Sequence, residues 1–123
     1  MYLALERVAD ARAVATRALE IAERHRYLGQ LAWIHWLRAE VSLAERASSD
    51  VVEGHLARAM TLAEPRRMRP VLAHCRLTRG RLLAASGQAP AARDELRAAH
   101  AAYEAMAMPY WLARADAQLA ALD

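Results

Sequence analysis

Apolar residues recur along this chain at intervals of three and four, with polar and charged positions between them. That is the period of a helix with one buried face. The first stripe contains Val8, Ala11, Ala15, Ala18, Leu19 and Ala22, and predicts a helix from about Leu3 to Arg26. Gly29 marks a turn or the loose start of a second, from about Leu28 to Arg46. Ser48, Ser49 and Asp50 form a run of N-cap residue types, and Glu53 follows Asp50 at the spacing a capping box prefers. A third helix is therefore expected from about Val51 to Glu64, stopping near Pro65. Pro70, Pro90 and Pro109 suit the first turn of a helix, where the missing N–H is not needed. They predict helices over about Arg69 to Ala85, Pro90 to Met106 and Pro109 to Leu122. Gly87 is available for a left-handed C-cap between the fourth and fifth. Connections this short place consecutive helices antiparallel and side by side.

The helical pattern repeats. Ala18, Glu23, Leu31 and Ala32 share their spacing with Ala59, Glu64, Leu72 and Ala73, and again with Ala99, Glu104, Leu112 and Ala113. The copies lie 41 and then 40 residues apart. Such a period without strand signals points to helix pairs stacked one on the next. The expected fold is all-α, an antiparallel helix-pair solenoid of about six helices in a single domain over 1–123. It divides into a half repeat (1–26), repeats over 28–65 and 69–107, and a capping or half repeat over 109–122. Alanine supplies 31 of the 123 residues, which lets neighbouring helices approach closely at little side-chain entropy cost.

The spacing Gly80-x6-Gly87-x4-Ala92-x3-Leu96-x2-Ala99 resembles the tetratricopeptide (TPR) consensus. In that family, small residues sit where helix A crosses helix B, and glycine or a similar residue ends helix A. The first copy carries Ala39 where the second has Gly80, and the period exceeds the TPR unit of about 34 residues. Residues 58–122 are also similar to the C-terminal repeat region of bacterial adenylate-cyclase/LuxR-type signalling ATPases. The shared phrases are Met68-Arg69-Pro70, Ala73-His74-Cys75, Gly80, Gly87 and Met108-Pro109-Tyr110-Trp111. The resemblance implies a helical repeat arm. It does not bring ATPase or cyclase chemistry, because the chain has no phosphate-binding Gly-rich loop.

Charge and chemistry narrow the function. All 17 positive residues are Arg, and the net charge of +3 favours an anionic partner only weakly. Arg66, Arg67, Arg69, Arg76, Arg79 and Arg81 form a cluster suited to phosphate or an acidic peptide. It lacks the base-reading residues along one helix face that a duplex reader needs, so nucleic acid is not the expected partner. No apolar run approaches the roughly 18 residues of a membrane span, and charges interrupt the first twenty residues as no signal peptide would allow. A single cysteine, Cys75, fits a reducing compartment, so a cytoplasmic location is expected.

His74 and Cys75 are adjacent and point about 100° apart on a helix, and the other histidines are scattered singly. No metal or other cofactor is expected from such spacing. Carboxylates lie beside arginines, as with Glu6 and Asp10 near Arg7, Glu20 with Arg24, and Glu40 near Arg38. They read as a solvated helix face, and no catalytic residue is expected.

The expected function is a non-catalytic protein–protein interaction scaffold. The alternative is a ligand- or partner-sensing regulatory arm of a larger signalling ATPase or transcriptional regulator. If helices two, four and six line one concave surface, Trp33, Trp36 and Glu40 lie beside His74, Leu77 and Arg81, with Arg114 beyond. Such a groove would take an apolar side chain flanked by acidic ones. Trp33 and Trp36 suit core filling equally well, and Trp111 suits it better. The last helix carries Tyr110, Trp111, Leu112, Leu119 and Leu122 with few charges, a poor polar cap for a solenoid. A homodimer through the terminal helices is therefore expected.

Overall fold

The computed structural model describes residues 7–123, and every regular element among them is an α-helix. These are α1 (Val8–His25), α2 (Leu28–Ala44), α3 (Ser49–Ala63), α4 (Arg69–Ala85), α5 (Ala89–Ala105) and α6 (Pro109–Ala121). The expected start at Leu3, and the pairing of Glu6, lie outside the described residues. Pro70, Pro90 and Pro109 occupy the first turns of α4, α5 and α6, as their fixed φ favours.

The start of α3 corrects the sequence reading. Ser48, in extended backbone, is the N-cap, and its Oγ accepts the Val51 N–H at 3.4 Å. The helix thus begins at Ser49, ahead of the expected Val51. Asp50 falls inside the first turn, so it cannot cap a box with Glu53. Its charge there meets the positive end of the helix dipole instead.

Helix ends carry the repeat more clearly than helix starts. Positive φ occurs at Arg26, Arg67 and Ala107, and at Arg46 and Gly87. Each set follows the 41- and 40-residue period of the sequence. Four of these turns share one hydrogen-bond pattern, in which the residue after the left-handed one reaches back five positions. The bonds run from Tyr27 N to Ala22 O (2.9 Å), Ala47 N to Ser42 O (2.9 Å), Gln88 N to Leu83 O (2.9 Å) and Met108 N to Tyr103 O (3.0 Å). This Schellman-type closure satisfies carbonyls that the helix end leaves orphaned.

The chain divides into two compact units between Arg67 and Met68. In the first, α3 packs most extensively on α2, and α1 lies against α2. In the second, α4 and α5 form the larger pairing, and α6 lies against α5. Val52, Leu56, Ala59 and Ala63 are fully buried along α3. Ala92, Leu96, Ala99 and Tyr103 occupy the same positions of α5 and are equally buried. The spacing of four, three and four keeps each set on one stripe. Polar contacts lie at the surface of the second unit: the ion pairs Arg76 with Glu95 (3.3 Å) and Arg93 with Asp123 (3.1 Å), and His100 Nε2 beside Asp116 Oδ1 (2.8 Å). Being partly solvated, they contribute little to stability.

Candidate functional site

In the first unit, the helical phase of α2 sends its two tryptophans to different fates. Trp36 is buried with Ala32 and Ala39 on the inward stripe, whereas Trp33 remains 40% exposed. Their rings meet edge to face, with centroids 6.0 Å apart. That arrangement suits the aromatic quadrupole and steadies the outer ring. Glu40, half-buried, follows one turn beyond Trp36. Of these three residues, Trp33 presents the largest apolar face to solvent.

In the second unit, Leu77 and Arg81 of α4 meet Arg114, Ala117 and Gln118 of α6 around a cleft of about 160 Å³. Leu77 is buried and Arg81 and Arg114 are partly exposed, giving an apolar floor with guanidinium groups beside it. Arg114 is held in place by aromatic rings. Its guanidinium carbon lies 5.5 Å from the Trp111 centroid and 5.8 Å from that of Tyr110, within cation–π range. Its Nη1 donates to the Tyr110 hydroxyl at 3.3 Å, while its Nε is buried with no hydrogen-bond partner among the described residues.

His74 sits inside the same unit. Its Nδ1 is 2.6 Å from the Tyr103 hydroxyl, and its ring centroid is 4.2 Å from that of Trp111. Burial pushes the imidazole down to about 4, so it is neutral at physiological pH. When its Nδ1 is the unprotonated nitrogen, the Tyr103 hydroxyl donates to it. Met106, Met108, Trp111, Leu112 and Leu119 pack around the core that contains Tyr103, Leu96 and Leu77. Trp111 therefore serves the packing of α6 as well as the placement of Arg114. Cys75 is fully buried on α4.

Among the residues the sequence singled out, the structure gathers Leu77, Arg81 and Arg114 at one cleft. It places His74 and Trp36 in the interior and leaves Trp33 outward. Sequence reasoning missed Tyr103 and Gln118, and took Tyr110 for part of a terminal face without its role beside Arg114. Tyr103 carried a signal, because it stands where the earlier copies have Ala22 and Ala63. A ring in place of a methyl marks a locally wider space. No described helix is long and apolar enough to cross a membrane. Comparison with known proteins finds no match to a family model, to a curated protein or to a solved structure.

Proposed function

We propose that this chain is a non-catalytic, cytoplasmic protein-interaction scaffold of TPR-like helix pairs. Its partner presents an apolar side chain flanked by carboxylates. The cleft of the second unit carries the reading: Leu77 forms an apolar floor, and Arg81 and Arg114 stand beside it. Arginine offers five N–H donors in a planar fork that matches a carboxylate. The stacking of Arg114 on Trp111 and Tyr110 fixes that fork in advance, which lowers the ordering cost of binding. In the first unit, taken by itself, Trp33 is an exposed aromatic of the kind that dominates interface energetics.

Exposed Val14 and Ile21 on α1, and Tyr110 on α6, support self-association of two copies through the terminal helices. The second reading, a regulatory arm that senses a ligand, is favoured by a polar pocket in the first unit lined by Arg12, Arg38 and His55. To test the scaffold reading, an array of peptides with one Leu, Met or Phe between Asp or Glu residues is probed with the protein and with Arg114→Gln. Selective binding that the variant loses supports it. Equal retention of every peptide by both proteins, or of none, overturns it.

A further inference from the structure

The three helices of the first unit enclose a pocket of unusual composition. Arg12, Ala15 and Thr16 come from α1, Arg38, Val41 and Ser42 from α2, and His55 from α3. Two arginines, two hydroxyl-bearing residues and one histidine thus line it, and among the described residues no carboxylate does. Its volume is about 40 Å³. That exceeds the 10–15 Å³ or so needed by one water and falls far below the roughly 300 Å³ of a pocket for a drug-sized ligand. A small group with several acceptor atoms fits these limits.

His55 is nine-tenths buried, and its Nδ1 has no hydrogen-bond partner among the described residues. Burial pushes its imidazole down to about 4, assisted by Arg38, Arg58, His35 and Arg12. Among the described residues, the charged and titratable groups that lower it are all basic. Neighbouring His35 is also buried, and its Nδ1 has no hydrogen-bond partner among the described residues. The nearby acid is Glu45, which engages Arg12 through two hydrogen bonds, one of them from Nε to Oε2 at 3.0 Å. Among the described residues, Arg38 shows no ion pair to a carboxylate. A concentration of positive charge beside an unfulfilled buried nitrogen is costly unless an anion resolves both.

We propose that the first unit binds a phosphate group in the pocket formed by Arg12, Thr16, Arg38, Ser42 and His55. A tetrahedral oxyanion has enough acceptor oxygens to meet guanidinium, hydroxyl and imidazole donors approaching from three helices. A planar carboxylate has fewer, and Glu45 already supplies one at the rim. On binding, His55 takes up a proton and becomes a donor at both nitrogens. The phosphate is either the free ion or a small phosphomonoester.

The full chain is titrated with inorganic phosphate and, separately, with phosphoserine, at constant ionic strength set by chloride. The His55 ring signals are followed by NMR. Saturable shifts of these signals, with the His55 titration midpoint raised in the bound state, are the expected result. Tighter binding of phosphoserine identifies a monoester ligand, and tighter binding of inorganic phosphate identifies the free ion. Arg38→Gln should weaken affinity about tenfold or more, and Glu45→Gln should tighten it by freeing the Arg12 fork. No saturable change at His55 with either probe overturns the site. So does binding that both variants leave unaltered. If Arg38→Gln does not fold, Glu45→Gln decides alone.

Discussion

Gly80 on α4 faces Leu96 on α5 so closely that a Cβ at residue 80 would lie 2.6 Å from both Cγ and Cδ2 of the leucine. Leu96 is fully buried and cannot swing away into solvent. The crossing of these two helices is therefore set by the absence of a side chain on one of them. Gly80→Ala should destabilise the protein by about 1–3 kcal/mol through overpacking, despite the better helix propensity of alanine. Urea denaturation of the variant checks this. An unchanged or raised midpoint would show that the helices can part at no cost.

The left-handed residue Ala107 offers the converse change. It is exposed, has φ 54° and bears a Cβ that the conformation disfavours. Gly87, at φ 77°, shows what the same type of turn prefers. Ala107→Gly is expected to stabilise the fold by about 1 kcal/mol, and Gly87→Ala to destabilise it by a similar amount. Paired thermal melts with opposite shifts are the check.

These turns also show where the sequence was silent. The prolines and glycine announced α4, α5 and α6 almost to the residue, because Pro and Gly restrict or release φ in a way composition reveals. Arg26, Arg46, Arg67 and Ala107 announce nothing, since Arg and Ala carry no preference for positive φ. They are held left-handed by the bonds that close the turns. Ser48 displaced Asp50 as the cap because neighbouring residues of one capping type compete on fine geometry. For the site, the repeat register brought Leu77, Arg81 and Arg114 into view, being a property of spacing. The ring cluster of His74, Tyr103 and Trp111 joins three helices, and no local pattern encodes it. The pocket of Arg12, Arg38 and His55 was hidden for the same reason.

Acid should weaken the fold through its buried histidines. Burial pushes His55 and His74 down to about 4 when folded, against 6.5 for a free imidazole. Between these values the unfolded chain binds protons that the folded chain refuses. Stability therefore falls as pH drops from about 6.5 toward 4, and histidine adds no further loss below that. His74→Gln should show a shallower fall over this window while retaining a hydrogen-bonding partner for Tyr103. Urea midpoints measured across the window test it, and parallel curves for the two proteins would exclude His74 as a source.

Self-association should depend on the outer face of α1. Val14 and Ile21 are 65% and 47% exposed and, with Ala13, Arg17 and Ala18, line an open apolar groove of about 410 Å³. The proposed dimer buries this surface against a second copy. Sedimentation should find a dimer at high micromolar concentration, and Val14→Asp with Ile21→Asp should return it to monomer. A monomeric parent chain at that concentration contradicts the prediction.

Trp33 and Trp36 make the sharpest contrast between binding and folding. They stand one turn apart on α2, yet Trp36 is 4% exposed and Trp33 40%. Trp36→Ala removes a ring from a packed interior and should cost about 3–5 kcal/mol of stability. Trp33→Ala removes a ring with a large solvent-facing surface. It forfeits an edge contact with Trp36, worth about 0.5–1.5 kcal/mol, and leaves no cavity of comparable size. If the first unit makes its own contact in the proposed scaffold, that same variant should weaken partner binding by more than about 1 kcal/mol while retaining nearly full helicity. Circular dichroism and peptide binding are measured on both variants. If Trp33→Ala unfolds as readily as Trp36→Ala, the outer ring is a structural element and not an anchor.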